Sequence, residues 1–130
     1  MADGLASAKA NAILNAICRA VAYSETAVYV QLHVGAPGAA GTSNVAGETT
    51  RVNATSAFGT AASGGTITNT AELDWTNVTT AETYSHISLW TASTAGNFIA
   101  SGSITANAVA VGDNFSIPIG DLTISLPVAS

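Results

Sequence analysis

The chain opens with a helical pattern of apolar positions. Apolar and small residues recur at intervals of three and four between Leu5 and Ala20, which is typical of an amphipathic helix. Asp3 precedes the pattern and is the predicted N-cap for the first free backbone N–H groups. Polar residues interrupt the stripe, so it is neither a membrane span of about 20 apolar residues nor a secretory signal. We expect a surface helix within residues 1–24, with its small face packed on another element or on a neighbouring subunit.

From Ala27 onward the pattern changes to the alternation of β-strands. Val28, Val30, Leu32 and Val34 face one way and Tyr29, Gln31 and His33 the other, which predicts a half-buried strand. Further short segments are separated by turn signals rich in Gly, Asn and Asp; they are 50–54, 65–69, 71–75, 84–90, 98–104, 114–117 and 122–128. The predicted fold is mainly β: one domain of residues 1–130, with an N-terminal α-helix followed by an antiparallel, jelly-roll-like β-sandwich over 27–130.

The charge content is low and limits the classes of function. Charged residues make up 8% of the 130, and three Lys or Arg stand against eight Asp or Glu for a formal charge of −5. This deficit of basic groups argues against nucleic-acid partners and against anionic membrane surfaces. Cys18 stands alone, so neither a disulfide nor a cysteine-based zinc site is expected. A surface of Ala, Ser, Thr and Asn loses little desolvation energy when covered, which indicates a building block that packs against other subunits.

Two pairs of residues invite a catalytic interpretation. Glu72 and Asp74 share one strand face, as the acid and base of a glycosidase could, but a solvated strand face is the simpler reading. His33 and His86 lie on separate strands and could meet across a sheet, where protonation near pH 6 would bring like charges together. Neither pair has the partners of a nucleophilic or zinc site. We expect no enzymatic activity, no cofactor and no metal.

Aromatic and loop residues suggest an interaction surface. Tyr84, His86, Ser88 and Trp90 alternate with Ile87 and Leu89, so Trp90 is expected to be exposed until a partner covers it. The alternative is a sugar-binding platform of Trp75, Trp90, Tyr29 and Tyr84. The glycine-rich segment 35–47 is either a plain surface loop or one draped over a neighbouring subunit, and Arg51 is expected to pair with an acid. The candidate interface residues are Tyr84, His86, Trp90, His33, Pro37, Asn44 and Arg51.

Several stretches, taken in order, resemble a known family. The glycine-rich segments 32–38 and 41–47 with Arg51, segment 62–65 with Asn69 and Thr70, and segments 86–90, 96–98, 101–103, 111–117 and 120–122 are similar to small virion proteins from tailed phages of actinobacteria. Members are variously described as tail-fibre, minor capsid or capsid decoration proteins. The resemblance therefore implies a structural component of the virion.

Size and pattern guide the choice of location within the virion. One small sandwich without a coiled-coil or triple-helical stalk pattern favours a capsid decoration protein over a whole fibre. We expect it on the outer capsid surface, bound to the major capsid protein and to itself as a homotrimer, where it stabilises the shell by mass action. The alternative is a protein of the phage tail, in the fibre or tail tip, that binds a host-surface glycan or receptor.

Overall fold

The computed structural model describes residues 3–59 and 63–129, which form one helix and eight strands. The elements in chain order are α1 (Ser7–Arg19), β1 (Tyr29–His33), β2 (Val52–Asn53), β3 (Thr66–Thr68), β4 (Leu73–Trp75), β5 (Glu82–Trp90), β6 (Phe98–Val109), β7 (Phe115–Ile117) and β8 (Thr123–Ser125). This order confirms the predicted mainly β fold with an N-terminal helix. Ala62, which belongs to one of the family-like segments, lies outside the described residues.

The strands form two layers around a common apolar core. One layer is a four-stranded antiparallel sheet in the order β2-β1-β5-β6, and the other consists of the antiparallel pairs β3-β8 and β4-β7. Leu32 lies opposite Ile87 in the first layer, and Leu73 lies opposite Ile117 in the second. These side chains are buried in one cluster, as expected for the two inner faces of a sandwich.

Strand β1 is buried on both faces, whereas its alternation predicts burial on one face only. Val30 and Leu32 lie in the core, and Gln31 and His33 on the other face are buried as well. The reason is tertiary: β1 lies between β2 and β5, and the segment that follows it folds back over its polar side. A single strand pattern carries no information about such a cover.

Strand β5 departs from simple alternation at Tyr84. The pairing with β6 shifts register between Tyr84 and His86, and such irregularities redirect side chains. Tyr84 therefore lies in the core, where its ring meets Phe115 edge-on at a centroid distance of 4.9 Å. The prediction that Tyr84 shares a face with His86 and Trp90 is wrong. Burial is the main cause that raises the pKa of Tyr84 to about 12.

Helix α1 begins later than its sequence pattern suggests, and Asp3 is not its N-cap. Ala6 precedes the helix without a side-chain cap, and the Asp3 carboxylate instead accepts a hydrogen bond from Ser103 Oγ. The cause is strand-like pairing of the N-terminal residues with β6, in which Ala6 N–H donates to Ile99 O at 2.8 Å. No helix in residues 3–59 and 63–129 is long and apolar enough to span a membrane.

The last strand is shorter than the alternation over 122–128 predicts. Strand β8 ends at Ser125 because β3 offers only the residues Thr66–Thr68 as partners. The Leu126 N–H still donates to Gly65 O at 2.7 Å, but the side chains of Leu126 and Val128 are exposed.

Candidate functional site

Most of the predicted interface residues gather on one side of the four-stranded sheet. We call this side, opposite the core, the polar face, and its central members are Gln31, His33, His86, Ser88 and Trp90. Cross-strand pairing brings them together, because His33 lies opposite His86 and Gln31 lies opposite Ser88, and directly opposed residues share a face. The expectation that the two histidines meet across a sheet is confirmed.

A chain of buried hydrogen bonds organises the polar face. Trp90 Nε1 donates to Ser88 Oγ at 2.7 Å, and Ser88 Oγ lies 2.7 Å from His33 Nε2. His33 Nδ1 lies 2.8 Å from the carbonyl oxygen of Ser43. A carbonyl only accepts, so Nδ1 carries the proton and Nε2 accepts the Ser88 hydroxyl proton. The partners thus assign a neutral His33 tautomer.

The environment of His33 disfavours its charged form. Burial is the main cause that lowers the pKa of His33, while the Ser43 and Asn44 backbones oppose it and His86 and Arg51 add repulsion. The neutral ring already satisfies both of its neighbours. His33 is therefore built into the fold as a structural residue, and its placement does not resemble that of a general base open to substrate.

Segment 35–47 closes over the polar face of its own chain. Asn44 O accepts the Val34 N–H at 2.9 Å, and Pro37 O accepts the Ser43 N–H at 2.9 Å, so the loop folds back beside β1. A Cβ at Gly41 would lie 2.5 Å from Phe98 Cδ1, which shows how closely the loop backbone approaches the sheet. The loop covers its own sheet, and nothing in its placement requires a neighbouring subunit.

Arg51 completes the cover, and it does so without an acidic partner among the described residues. Its Cζ lies 4.1 Å from the centroid of the Trp90 ring, a cation–π distance. Its Nε donates to Gln31 Oε1 at 3.2 Å, and Nη1 donates to the carbonyls of Ala92 at 3.0 Å and Ala95 at 2.7 Å. The prediction that Arg51 pairs with an acid is wrong, because carbonyl oxygens and the Trp90 ring bind its guanidinium group in place of a carboxylate.

This arrangement changes the role of the predicted interface residues. Trp90 is only 8% exposed in the single chain, so the prediction that it waits for a partner is wrong. Tyr84, His33 and Pro37 are fully buried as well. Asn44 remains exposed, and His86 and Arg51 are half-buried. His33, His86 and Trp90 do share one face of the sheet, but segment 35–47 and Arg51 of the same chain cover it.

The aromatic platform proposed for sugars is absent for the same reason. Trp75 is 2% exposed and donates from Nε1 to Thr50 O at 2.9 Å. With Tyr84 and Trp90 also buried, only Tyr29 of the suggested residues keeps partial exposure. A glycan could not stack on this set without unfolding the chain.

The paired carboxylates lie where their alternation predicts. Glu72 and Asp74 face solvent while Leu73 and Trp75 point inward, and Asp74 accepts a hydrogen bond from Ser116 Oγ at 2.5 Å. The charge of Asp74 is the main cause that raises the pKa of Glu72. Both acids line an open depression of about 520 Å³ with no histidine in its wall. This is the geometry of a solvated strand face.

Two other acids, which sequence reasoning passed over, hold loops in place. The Glu48 carboxylate is buried and accepts the Thr79 N–H at 3.1 Å. Glu82 accepts the N–H groups of Gly47 at 3.0 Å and Glu48 at 3.2 Å. The one available signal was an acid next to a Gly- and Thr-rich segment, since such segments leave backbone donors in need of acceptors. Across residues 3–59 and 63–129, no group of three or more His, Cys, Asp or Glu could hold a metal ion.

Helix α1 stands apart from the sandwich. None of its side chains is buried, and Leu14 and Ile17 are among the exposed large apolar residues of the chain. At its base, Lys9 forms an ion pair with Glu25, and the Tyr23 hydroxyl donates to the same carboxylate at 2.6 Å. The sequence allows the helix to pack on another element of the chain or on a neighbouring subunit, and in this structure none of its side chains is buried.

Comparisons with known proteins give one family. A family model described as Podophage GP4 fiber I protein gp80 matches residues 4–125, which include the helix and all eight strands. No curated protein matches the chain.

Proposed function

We infer the function of this chain from one premise, that it belongs to the family of Podophage GP4 fiber I protein gp80. It is accordingly a structural protein of a bacteriophage virion. We propose that it is a subunit of a fibre on the phage tail and that it works by assembly, without catalysis, cofactor or metal. The family match over residues 4–125 is the observation that carries this proposal.

The surface of the chain supports a role in assembly. Its few acids are largely engaged within the chain: Glu48 and Glu82 bind backbone N–H groups, and Asp113 accepts the Ala110 N–H at 2.8 Å. What remains outside is mostly Ala, Ser, Thr and Asn. Covering such a surface strips few ions of water, so close packing among subunits meets a small desolvation penalty.

The buried aromatic residues favour a structural role in the fibre over glycan binding by stacking. Trp75 and Trp90 are held by hydrogen bonds inside the chain. Binding through a sugar platform would require these rings at the surface. We therefore propose that host recognition, where the fibre performs it, does not use these aromatic residues.

Capsid decoration is the second candidate, and one observation favours it. The described residues form a sandwich with a single 13-residue helix, and within them no element has the length of a fibre shaft. A small knob of this kind also suits a lattice of major capsid proteins. Self-association as a homotrimer remains a prediction in both cases.

Localisation and copy number on purified particles distinguish the two candidates. Antibody-gold labelling should mark the tail end of the particle, and quantitative mass spectrometry should give a copy number that matches the fibres. Gold over the whole head, with a copy number comparable to that of the major capsid protein, would overturn the fibre proposal in favour of decoration. Absence from purified particles would contradict both.

A further inference from the structure

Within residues 3–59 and 63–129, two apolar surfaces are left without a partner. The first is the outer face of α1, where Leu14, Ile17 and Cys18 follow the i, i+3, i+4 spacing of one helical face; the exposed Val21 lies beyond the helix end, after the left-handed Ala20. Leu14 is 58% exposed and Ile17 is 74% exposed, and Cys18 is exposed as well. Helices that insert into grooves use anchors at this spacing.

The second surface is a groove on the body of the molecule, which we define as residues 27–130, with Glu25 of the preceding segment at its side. It has a volume of about 250 Å³ and lies where one end of β1, β5 and β6 meets the β3-β8 pair. Except for Glu25 at its side, its lining is apolar: Val28, Phe58, Ile67, Leu89, Ile99 and Ile124. We call it the apolar groove.

The helix of the same chain does not fill this groove. Glu25 at the side of the groove is bound to Lys9 in the first turns of α1, and Tyr23 donates to the same carboxylate. These contacts fix the base of the helix while Leu14 and Ile17, further along, stay exposed. Among residues 3–59 and 63–129, no side chain of the helix occupies the groove, so we look for an occupant outside the chain.

Charge indicates what that occupant is. Helix α1 carries two of the three basic residues, Lys9 and Arg19, and none of the eight acidic ones. The body, residues 27–130, carries Arg51 and six acids, a formal charge of 1 − 6 = −5. Lys9 is already paired with Glu25 of its own chain, so Arg19 is the exposed basic group of the helix. Two helices packed on each other would bring their Arg19 charges closer, whereas a helix on the body of another copy brings opposite charges together.

We propose that α1 of one copy docks through Leu14 and Ile17 into the apolar groove of a second copy. Such a contact joins two different surfaces, so repetition can close a ring of identical subunits. The inference does not depend on where in the virion the protein resides, and it is tested on purified protein alone.

The first test uses Ile17→Asp, with Ile119→Asp as its matched control. Both isoleucines are largely exposed, at 74% and 67%, so neither change should unfold the sandwich. Sedimentation equilibrium should show wild-type self-association that Ile17→Asp weakens at least about tenfold, because a buried apolar side chain becomes a carboxylate. Ile119→Asp should associate like the wild type. Equal association of Ile17→Asp and wild type, or a wild type that stays monomeric at high concentration, would overturn the proposal.

A mixing experiment separates docking in the groove from pairing of helices. The Ile17→Asp chain keeps its groove, so wild-type protein should still bind it through wild-type helices, which tagged pull-down with the purified chains would detect. Pairing of helices predicts no such complex. Pairing of helices also predicts a disulfide between two Cys18 residues on mild oxidation. The proposal would be overturned by a missing complex between wild type and Ile17→Asp, or by this disulfide. Ile124→Asp places a charge in the groove but keeps its helix. It should therefore bind the intact groove of Ile17→Asp without associating with itself. If Ile124→Asp does not fold, the mixture of wild type and Ile17→Asp decides.

Discussion

Mild acid should destabilise the fold through His33. The fold holds this ring neutral between Ser88 and the Ser43 carbonyl, and burial lowers its pKa below the ordinary value of 6.5. Below that value the unfolded chain binds a proton at His33 that the folded chain resists. The free energy of unfolding should therefore be highest at neutral pH and fall as the pH decreases through about 6.5 toward the lowered pKa.

The size of this effect follows from one proton. One extra proton bound by the unfolded chain changes the free energy of unfolding by at most about 1.4 kcal/mol per pH unit. Once protonated, His33 Nε2 can no longer accept from Ser88, whose hydroxyl also receives the Trp90 N–H. The Nδ1–H bond to Ser43 O survives protonation, so the disturbance should appear first at Ser88 and Trp90.

Urea unfolding between about pH 8 and about pH 5.5 measures this slope. His33→Gln should be less stable than wild type at neutral pH, because at least one buried group loses its partner, at about 1–3 kcal/mol. Its stability should then depend little on pH across this range. His86→Gln is the matched control: it removes the opposing imidazole, leaves His33 buried and should keep most of the acid slope. A wild-type stability that is constant over the range, or a slope that survives in His33→Gln, would refute the reasoning.

Two further substitutions test the packing. Gly41→Ala should lower the free energy of unfolding by about 2 kcal/mol or more, because its Cβ would lie 2.5 Å from Phe98 Cδ1. Gly120→Ala has a similar positive φ but no atom within 4 Å of the added Cβ, so it should show only the smaller cost of backbone strain. Equal losses of the two variants in urea unfolding would contradict the steric argument. Asn69→Ala should lower the melting temperature and reduce the free energy of unfolding by about 2–4 kcal/mol. The reason is that the buried side-chain amide accepts the Leu122 N–H at 3.0 Å and donates to two backbone carbonyls. An unchanged melting temperature would contradict this reasoning.

The sequence predicts the strands well because their signals are local. Each predicted segment overlaps an observed strand, although β5 and β6 extend beyond their predicted bounds, since alternation and glycine-rich turns act within a few residues. The errors arise where distant residues decide. Tyr84 turns inward because the pairing with β6 shifts register, and Asp3 fails as a cap because the N-terminal residues pair with β6 instead.

The candidate site was predictable in membership but not in role. Polar and aromatic residues that alternate on β5 look alike whether a partner or the same chain covers them. What decides between these outcomes is segment 35–47, which has no strand or helix period of its own. Its fold depends on Gly41 meeting Phe98, far along the sequence, and on Ser43 meeting His33 of the preceding strand β1. No pattern within the loop could have indicated them.

The low charge content has a different meaning once the acids are located. A charge-poor chain could owe its solubility to a few well-placed surface ions, but Glu48 is buried, and Glu82 and Asp113 bind backbone groups. The remaining acids of the body, Glu72, Asp74 and Asp121, are exposed but few, so charge does little to discourage close approach over most of it. Helix α1 differs, because it carries the exposed Arg19 and has no buried side chain. If assembly used the charge-poor surface alone, contacts would form anywhere with little selectivity. A basic helix with an apolar face makes the contact between subunits specific, which such a surface alone does not. Substitutions on α1 should therefore affect assembly first.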